Sequence, residues 1–344
     1  MGRMGWGMGL AVVGLALVPA VAAGSTAAVV TVTDRAGSAG HAELQIHGQG
    51  SERNVVTITS TAGNRTLNGV ADQGAALTGA LGQGPHLGCL VVPLLNAGVC
   101  AGESADDWVV VDLGAGNDTL DARALAAADA RTAYDLGSGD DRVLGGPADE
   151  AIAPGSGANH VSGGGGSDTV YVGVDGTEDV HVTLDGVADD GTDGRSNILP
   201  DVENVATGRG SDVVVGTAGP NALSGGEEYA EAPTGIDHLE GLDGDDELSL
   251  GRGVANGGDG DDRLEGGFFG GSGVLIGGAG ADRILAHGTF SVDAGPGDDV
   301  IDSSYHSVLP VQANDVVCGP GFDTVKANAI DTVAADCEQV TRVN

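Results

Sequence analysis

The sequence predicts an all-β protein in which many short strands stack on one another, and three observations lead to this fold class. Glycine provides 63 of the 344 residues and aromatic residues only 3%, so turns are abundant and a core of large rings does not fit the composition. A nine-residue phrase of Gly, Asp and aliphatic residues recurs through most of the chain. Before this repeat, apolar and polar residues alternate in short segments, which is typical of half-buried strands.

The chain is strongly acidic, with 14 Lys and Arg residues against 50 Asp and Glu residues and a formal net charge of −36. Such a surface repels phosphate backbones, so we expect no nucleic acid among its partners. Apolar residues nevertheless make up 41% of the chain, which is not the composition of a disordered protein. A chain that folds in spite of this self-repulsion is expected to bind cations.

The nine-residue phrase is clearest in Gly257–Glu265, which reads Gly-Gly-Asp-Gly-Asp-Asp-Arg-Leu-Glu, and in Gly277–Leu285. Eleven copies share a Gly two residues before an Asp or Asn and a Leu, Ile or Val two residues after it. Two of the eleven are degenerate and centre on Asn221 and Asp237. Abundant glycine alone does not fix an aliphatic residue at one offset, so the phrase marks a structural repeat.

Each position of the phrase has a physical reason. Glycine permits the backbone conformations of a tight turn, and the Asp-x-aliphatic step alternates as a short strand does. One such unit cannot bury its aliphatic side chain alone, but stacked units form a continuous apolar ladder. Stacking also brings the Asp residues of neighbouring units together, where they repel unless a cation lies between them. Ca²⁺ suits this position because it accepts six to eight oxygens from carboxylates and turn carbonyls.

At these residues the chain resembles the haemolysin-type calcium-binding repeat (RTX) family, whose nonapeptide is G-G-x-G-x-D-x-U-x. The resemblance covers roughly residues 112–336 and implies a right-handed parallel β-roll, a β-helix solenoid with Ca²⁺ ions in its turns. The segment Val180–Val205 also resembles a connector of secreted bacterial members. Carried over residue by residue, the resemblance implies these metal-binding carboxylates: Asp118, Asp141, Asp168, Asp212, Asp246, Asp262, Asp282, Asp299 and Asp323.

The spacing of the good copies indicates a one-sided ladder. Asp246, Asp262, Asp282 and Asp299 are 16, 20 and 17 residues apart, close to the 18 residues of a full coil. We therefore expect one edge to bind a row of ions while the opposite edge lacks the motif. The step from Asp212 to Asn221 spans nine residues, so a site on the opposite edge is expected only there. The longer steps upstream of Asp212 suggest that those copies sit on separated coils. The alternative is that the Asp residues cap the turns of a calcium-free solenoid.

The N-terminal part divides into two predicted segments. Residues 1–23 combine an Arg, a nine-residue apolar run and a small-residue cleavage pattern, which is typical of a secretory signal peptide. Nine residues are too few to cross a membrane, which takes about 20. Residues 24–106 are expected to form a β-rich cap on the solenoid at residues 107–344, or else a ligand-binding module. The segments expected as strands are Ala28–Thr33, Ala42–His47, Asn54–Thr59 and Thr66–Val70.

The four cysteines favour disulfide bonds in an exported chain. Three connectivities are possible, and the local pairs Cys89–Cys100 and Cys318–Cys337 are the simplest. A zinc site is less favoured because no pair has CxxC spacing.

No catalytic motif was found in the sequence. Lys326 is the single lysine, so a P-loop is excluded, and neither a Gly-x-Ser-x-Gly elbow nor a HExxH helix occurs. We therefore expect an extracellular calcium-binding protein and not an enzyme. Two other hypotheses remain: an adhesin or cell-surface protein that uses the roll as a rigid spacer, and an enzyme whose site lies in residues 24–106.

Overall fold

A computed structural model describes residues 29–34, 42–47, 55–61, 66–72, 78–80, 87–92, 97–102, 108–125, 131–174, 176–226, 234–267, 271–304 and 313–343. The regular structure of these residues is entirely β-strand. Within them, no helix has the length and apolarity needed to span a bilayer. The strands form one sheet of fifteen and two sheets of eight, which we name the long sheet, the first short sheet and the second short sheet.

The long sheet contains β1 (Val29–Asp34), β2 (Ala42–His47), β5 (Thr78–Ala80), β8 (Trp108–Asp112), β10 (Arg131–Asp135), β12 (Glu150–Ala153), β14 (Thr169–Tyr171), β17 (Asn204–Ala206), β19 (Ala222–Ser224), β21 (Glu247–Leu250), β23 (Arg263–Gly266), β25 (Arg283–Ala286), β27 (Val300–Asp302), β29 (Thr324–Asn328) and β31 (Gln339–Val343). The first short sheet contains β3 (Val55–Thr61), β4 (Thr66–Asp72), β6 (Leu87–Val92), β7 (Ala97–Gly102), β9 (Thr119–Ala124), β11 (Arg142–Leu144), β13 (His160–Ser162) and β16 (Asn197–Ile198). The second short sheet contains β15 (His181–Thr183), β18 (Val213–Val215), β20 (Asp237–Asp243), β22 (Arg252–Asp259), β24 (Ser272–Ala279), β26 (Thr289–Asp293), β28 (Asp315–Val317) and β30 (Thr332–Val333).

The chain winds between these sheets as a solenoid. From β8 to β14 it alternates between the long sheet and the first short sheet, and from β17 to β31 between the long sheet and the second short sheet. Neighbouring coils pair in parallel, for example β21 with β23 and β22 with β24. The result is a parallel β-solenoid of about 11 turns, which confirms the fold class that the sequence predicts.

The aliphatic residue of each repeat forms the core. In the long sheet, Leu248, Leu264, Ile284, Ile301 and Val325 are direct neighbours in register from coil to coil. All five are buried, and they join the inward-facing residues of the short sheets in a single apolar cluster. Burying one such side chain is worth about 1.5–3 kcal/mol. Strands of three to five residues become stable here because each one rests on the coil before it.

The turns stack closely enough to require glycine. Gly260 has a φ of 147°, and a Cβ added to it would lie 1.9 Å from the carbonyl oxygen of Gly244 in the preceding coil. Gly280 has a φ of 146° and the same close contact with Gly260. In these two turns, the glycine two residues before the motif Asp is therefore required by both backbone conformation and coil spacing.

The N-terminal strands continue both sides of the solenoid. β1 pairs with β2, and β3, β4, β7 and β6 pair in that order, all antiparallel. β2 then pairs in parallel with β8, and β3 with β9. The antiparallel strands thus cover the exposed strand edges of the first coil. The four strands expected from the sequence match β1–β4 to within two residues at each end, whereas residues 1–23 lie outside the described part.

Cys318 and Cys337 form a disulfide bond between the last coils, as the sequence predicts. Cys318 is buried in the apolar core. Cys89 and Cys100 are register partners in the antiparallel pair β6–β7. Their side chains lie outside the described structure, so a bond between them stays a prediction.

We expect the Cys318→Ser, Cys337→Ser double variant to lose about 3 kcal/mol of unfolding free energy, because the bond closes a loop across a sequence separation of 19 residues. Denaturant unfolding of calcium-loaded protein measures this loss. A variant as stable as the natural chain would show that the last coil is held without the bond.

Candidate metal centre

Each motif Asp ends a turn and directly precedes a strand, with its side chain pointing into the turn. All nine predicted metal-binding residues are no more than 2% exposed, although carboxylates are rarely buried unless they are paired. They are Asp118, Asp141, Asp168, Asp212, Asp246, Asp262, Asp282, Asp299 and Asp323.

Five of these residues form a continuous ladder along one edge of the long sheet. The backbone N–H of Asp246 donates to Oδ1 of Asp262 at 2.8 Å, and the N–H of Asp262 donates to Oδ1 of Asp282 at 2.9 Å. The same bond joins Asp282 to Asp299 and Asp299 to Asp323, each at 2.9 Å. Each of these Asp residues is one rung of this ladder, and one of its carboxylate oxygens accepts the backbone N–H of the rung before it.

The other four predicted residues lie on three different edges. Asp168 belongs to the long-sheet edge, where its Oδ1 accepts the N–H of Glu150 at 2.8 Å. Asp118 and Asp141 lie at the first short sheet, where the N–H of Asp118 donates to Oδ1 of Asp141 at 2.7 Å. Asp212 lies at the second short sheet, where its Oδ1 accepts the N–H of Val180 at 2.8 Å.

The expected one-sided ladder holds for only part of the chain. Opposite Asp246–Asp299, the register-equivalent residues of the second short sheet are Gly253, Gly273 and Phe290, which offer no carboxylate. The expectation that the upstream copies sit on separated coils is wrong, because Asp118 and Asp141 occupy neighbouring coils. Their strands pair directly, and the extra residues between them do not interrupt the ladder.

The second oxygen of most ladder carboxylates has no hydrogen-bond partner although it is buried. In the described structure this is true of Oδ2 in Asp141, Asp168, Asp246, Asp262, Asp282, Asp299 and Asp323. An unpaired buried polar atom costs about 1–3 kcal/mol, and more when it is charged. A ladder that repeats this cost at every coil calls for a proton or a cation at each of these oxygens.

Glycine at the start of the motif makes room for this second oxygen. A Cβ added to Gly257 would lie 2.2 Å from Oδ2 of Asp262, and Gly241 and Gly277 stand in the same relation to the Asp five residues later. Each second oxygen therefore lies directly over the backbone of its own turn. This contact explains why the phrase begins with glycine.

Asn159 shows which chemical group this position favours. Its Oδ1 accepts the N–H of Asp141 at 2.9 Å, just as a ladder Asp would. Its Nδ2 donates to the carbonyl oxygen of Pro154, five residues earlier, at 2.8 Å. Where Asn places a donor, Asp places a second acceptor that faces a carbonyl-lined turn. The Asp rungs therefore lack the hydrogen-bond donor that the Asn rung supplies itself.

Burial raises the pKa of the ladder carboxyls. Burial, with neighbouring carboxylates adding to it, raises the pKa of Asp246 and Asp282 to about 7 and that of Asp141 to about 6. The pKa of Asp168 and of Asp299 is likewise raised to about 6. The backbone N–H bond to each carboxylate offsets only part of this rise. Near neutral pH these groups are therefore poised to exchange a proton for a metal ion.

A comparison with protein-family models finds the RTX calcium-binding nonapeptide repeat in four copies, over residues 145–175, 207–227 and 269–288. The chain carries RTX repeats. The matched ranges contain the ladder residues Asp168, Asp212 and Asp282. No curated protein matches the sequence.

The donor set of the RTX repeats fits calcium. In the described motif turns, the buried oxygens without partners are carboxylate oxygens, and the turn before Asn159 presents the carbonyl of Pro154 to this position. Carboxylate and carbonyl oxygens are the ligands that Ca²⁺ prefers. Bound in the turns, the ion would supply the positive charge that the ladder lacks. The ladder N–H bonds orient one oxygen of each carboxylate and leave the other for the ion.

Three glutamates extend the long-sheet ladder and were missed in the sequence. The N–H of Asp168 donates to Oε2 of Glu203, and the N–H of Asp323 donates to Oε2 of Glu338, both at 2.9 Å. Glu150 occupies the rung before Asp168, and burial raises its pKa to about 9. Each of the three is followed two residues later by Ile or Val. None of the three has the Gly two residues earlier that the phrase requires, so in the sequence only the acidic residue and the aliphatic residue after it mark these positions.

A second, exposed line of acids runs beside the ladder in the opposite direction. Oδ1 of Asp245 accepts the N–H of Asp261 at 3.0 Å, and Oδ1 of Asp261 accepts the N–H of Ala281 at 2.7 Å. Asp245 and Asp261 directly precede the buried Asp246 and Asp262 of their repeats. They add negative potential to the edge at which a cation would enter.

We expect Asp262→Asn to stabilise the calcium-free protein, because the amide would donate into the turn as Asn159 does. Asp262→Ala should instead cost about 1–3 kcal/mol, because the N–H of Asp246 loses its acceptor. Thermal unfolding in chelator compares the two variants with the natural chain. An Asn variant less stable than the natural chain under these conditions would contradict this account of the second oxygen.

The pH dependence should reverse when calcium is added. The pKa values of Asp246 and Asp282 are raised above those of the unfolded chain, to about 7, so their stabilising effect is complete below about pH 4 and is lost as the pH rises through 6–7. In chelator the melting temperature should therefore fall between pH 5 and 8. With Ca²⁺ the stabilisation by the ion should grow over the same range, because binding displaces protons. Melting curves at each pH test both slopes, and a chelated protein that gains stability toward pH 8 would contradict them.

Proposed function

We propose that the protein is a secreted calcium-binding protein whose solenoid is held together by Ca²⁺ ions between successive turns. The observation that carries this proposal is the row of buried carboxylate oxygens without partners, which repeats from coil to coil. The RTX repeats support calcium as the ion. The activity is binding and calcium-dependent folding rather than catalysis.

The proposed ligands are the nine motif aspartates, Asp237 of the degenerate copy, and the three glutamates that continue the ladder. On the long-sheet edge, consecutive acidic rungs run from Asp246 to Glu338, and a shorter run joins Glu150, Asp168 and Glu203. Asp118 with Asp141 and Asp212 with Asp237 provide one pair on each short sheet. We assign one ion to the space between two consecutive acidic rungs.

Extracellular calcium explains how such an acidic chain can be exported and then fold. At cytosolic calcium levels the ionised rungs repel one another and leave the coils loose. Outside the cell, a ligand that binds only the folded state adds stability by mass action. Modules of this kind bind at about 10⁻⁴–10⁻³ M, which matches extracellular calcium. The disulfide between Cys318 and Cys337 also suits an oxidising compartment, and the signal-like residues 1–23 provide the export route.

A pair of matched variants tests the proposed ion positions. Asp262 lies between two rungs, so Asp262→Ala should weaken two neighbouring calcium sites and lower the number of tightly bound ions. Asp293 is exposed at the end of β26 and away from the ladder, so Asp293→Ala should leave binding unchanged. Equilibrium dialysis with metal analysis gives both numbers, and equal losses in the two variants would refute the arrangement.

Removal of calcium tests the proposed function as a whole. Near pH 8, exhaustive chelation should weaken the β signal in circular dichroism and lower the melting temperature, and Ca²⁺ should restore both. A purified protein that stays fully ordered in chelator and holds no metal would overturn the proposal.

A further inference from the structure

The solenoid changes from one short sheet to the other within residues 181–198. β15 is the first strand of the second short sheet, and β16 is the last strand of the first. Between them the chain folds back on itself. The N–H of His181 donates to the carbonyl of Gly191 at 3.2 Å, and the N–H of Gly191 donates to the carbonyl of His181 at 2.7 Å. This turn places residues 189 and 190 beside the imidazole of His181.

Asp190 joins the two sheets at this crossing. It is fully buried, and it belongs to none of the three carboxylate ladders. Its Oδ1 accepts the N–H of Thr183 in β15, and its Oδ2 accepts the N–H of Ile198 in β16, both at 2.7 Å. The carboxylate is therefore held in one orientation by an edge strand of each sheet.

Three possible metal ligands converge beside this carboxylate. One ligand atom from each of His181, Asp189 and Asp190 lies within 4.8 Å of the other two. The side chains of His181 and Asp189 are exposed, so solvent ions reach the cluster directly. Neither Asp189 nor Asp190 forms an ion pair with a described Lys or Arg. A buried carboxylate with an acidic neighbour and no cation favours the binding of one.

We infer that His181, Asp189 and Asp190 form a binding site for a transition-metal dication of the Zn²⁺ type, separate from the calcium sites. An imidazole nitrogen with two carboxylate oxygens is a ligand set for Zn²⁺, whereas Ca²⁺ takes oxygen ligands. Asp190 is the fixed ligand, because two backbone N–H groups orient it as outer-shell partners do. His181 and Asp189 are free to close on the ion, which binds at about 2.0–2.2 Å and keeps a fourth position for water.

The position of the site determines its effect on the fold. A metal ion there would fasten the turn formed by residues 181–191 to the carboxylate that bridges β15 and β16. Each calcium ladder joins neighbouring coils along the edge of a single sheet. The ion at His181 would instead join the two short sheets at their boundary. The site therefore acts on a part of the solenoid that the ladders do not bridge.

Titration with zinc alone tests the inference on the full-length, calcium-loaded protein. With Ca²⁺ in excess, the ladders are occupied and remaining zinc binding is measured by calorimetry. We expect one saturable Zn²⁺ site, weakened about tenfold or more in His181→Ala and in Asp189→Asn. His160→Ala is the control, because His160 lies in β13 outside the cluster. Replacing Zn²⁺ by Co²⁺ gives a visible absorption band that should disappear with His181.

Each outcome decides the assignment independently of the calcium proposal. Zinc binding that is identical in the natural chain and in His181→Ala would overturn it, and so would the absence of any saturable zinc site. Displacement of the zinc by Ca²⁺ in equal amounts would also overturn it, because the site would then not select a transition metal. Loss of zinc binding in His160→Ala alone would place the metal elsewhere.

Discussion

The burial of one carboxylate per coil is the constraint on which the rest of this structure depends. Parallel coils lie about 4.8 Å apart, so the turns must contact one another through their backbones. A carboxylate that accepts the N–H of the preceding rung aligns the two turns, but its other oxygen is left facing the backbone of its own turn. Desolvation and repulsion then act on the same oxygen. Glycine, calcium and the raised pKa values are three consequences of this single arrangement.

The sequence predicts the core and the turn more reliably than the edge to which each Asp belongs. Leu264 and Ile284 stack as the repeat requires, because strand period and coil length agree. The sheet edge on which an Asp lies depends on whether half a coil or a full coil of chain separates it from the preceding motif Asp. Asp168 follows Asp141 by 27 residues, three nonapeptides, and does change edge. Asp141 follows Asp118 by 23 residues, which fits neither two nor three units, yet the strands that follow the two residues pair directly.

The glutamates and the His181 cluster were missed for different physical reasons. Glu203 and Glu338 accept the N–H of the preceding rung through Oε2, at the same distance as the aspartates accept it through Oδ1. A pattern restricted to Asp therefore understates the ladder. His181 and Asp190 are brought together by a reversal of the chain inside a connector. No local period marks that contact, so it becomes visible only when the strand pairing is known.

The ladder also has a direction. Each long-sheet rung from Asp246 onward relies on the following rung for the acceptor of its N–H, and Glu338 is the acceptor for Asp323. During synthesis or export, when the amino end of the chain emerges first, each coil gains the acceptor for its rung N–H only when the next coil is in place. The edge is therefore completed in chain order with a delay of one coil, and the carboxyl-terminal coil closes it. A chain shortened at its carboxyl end would leave its last turn permanently without a closing partner.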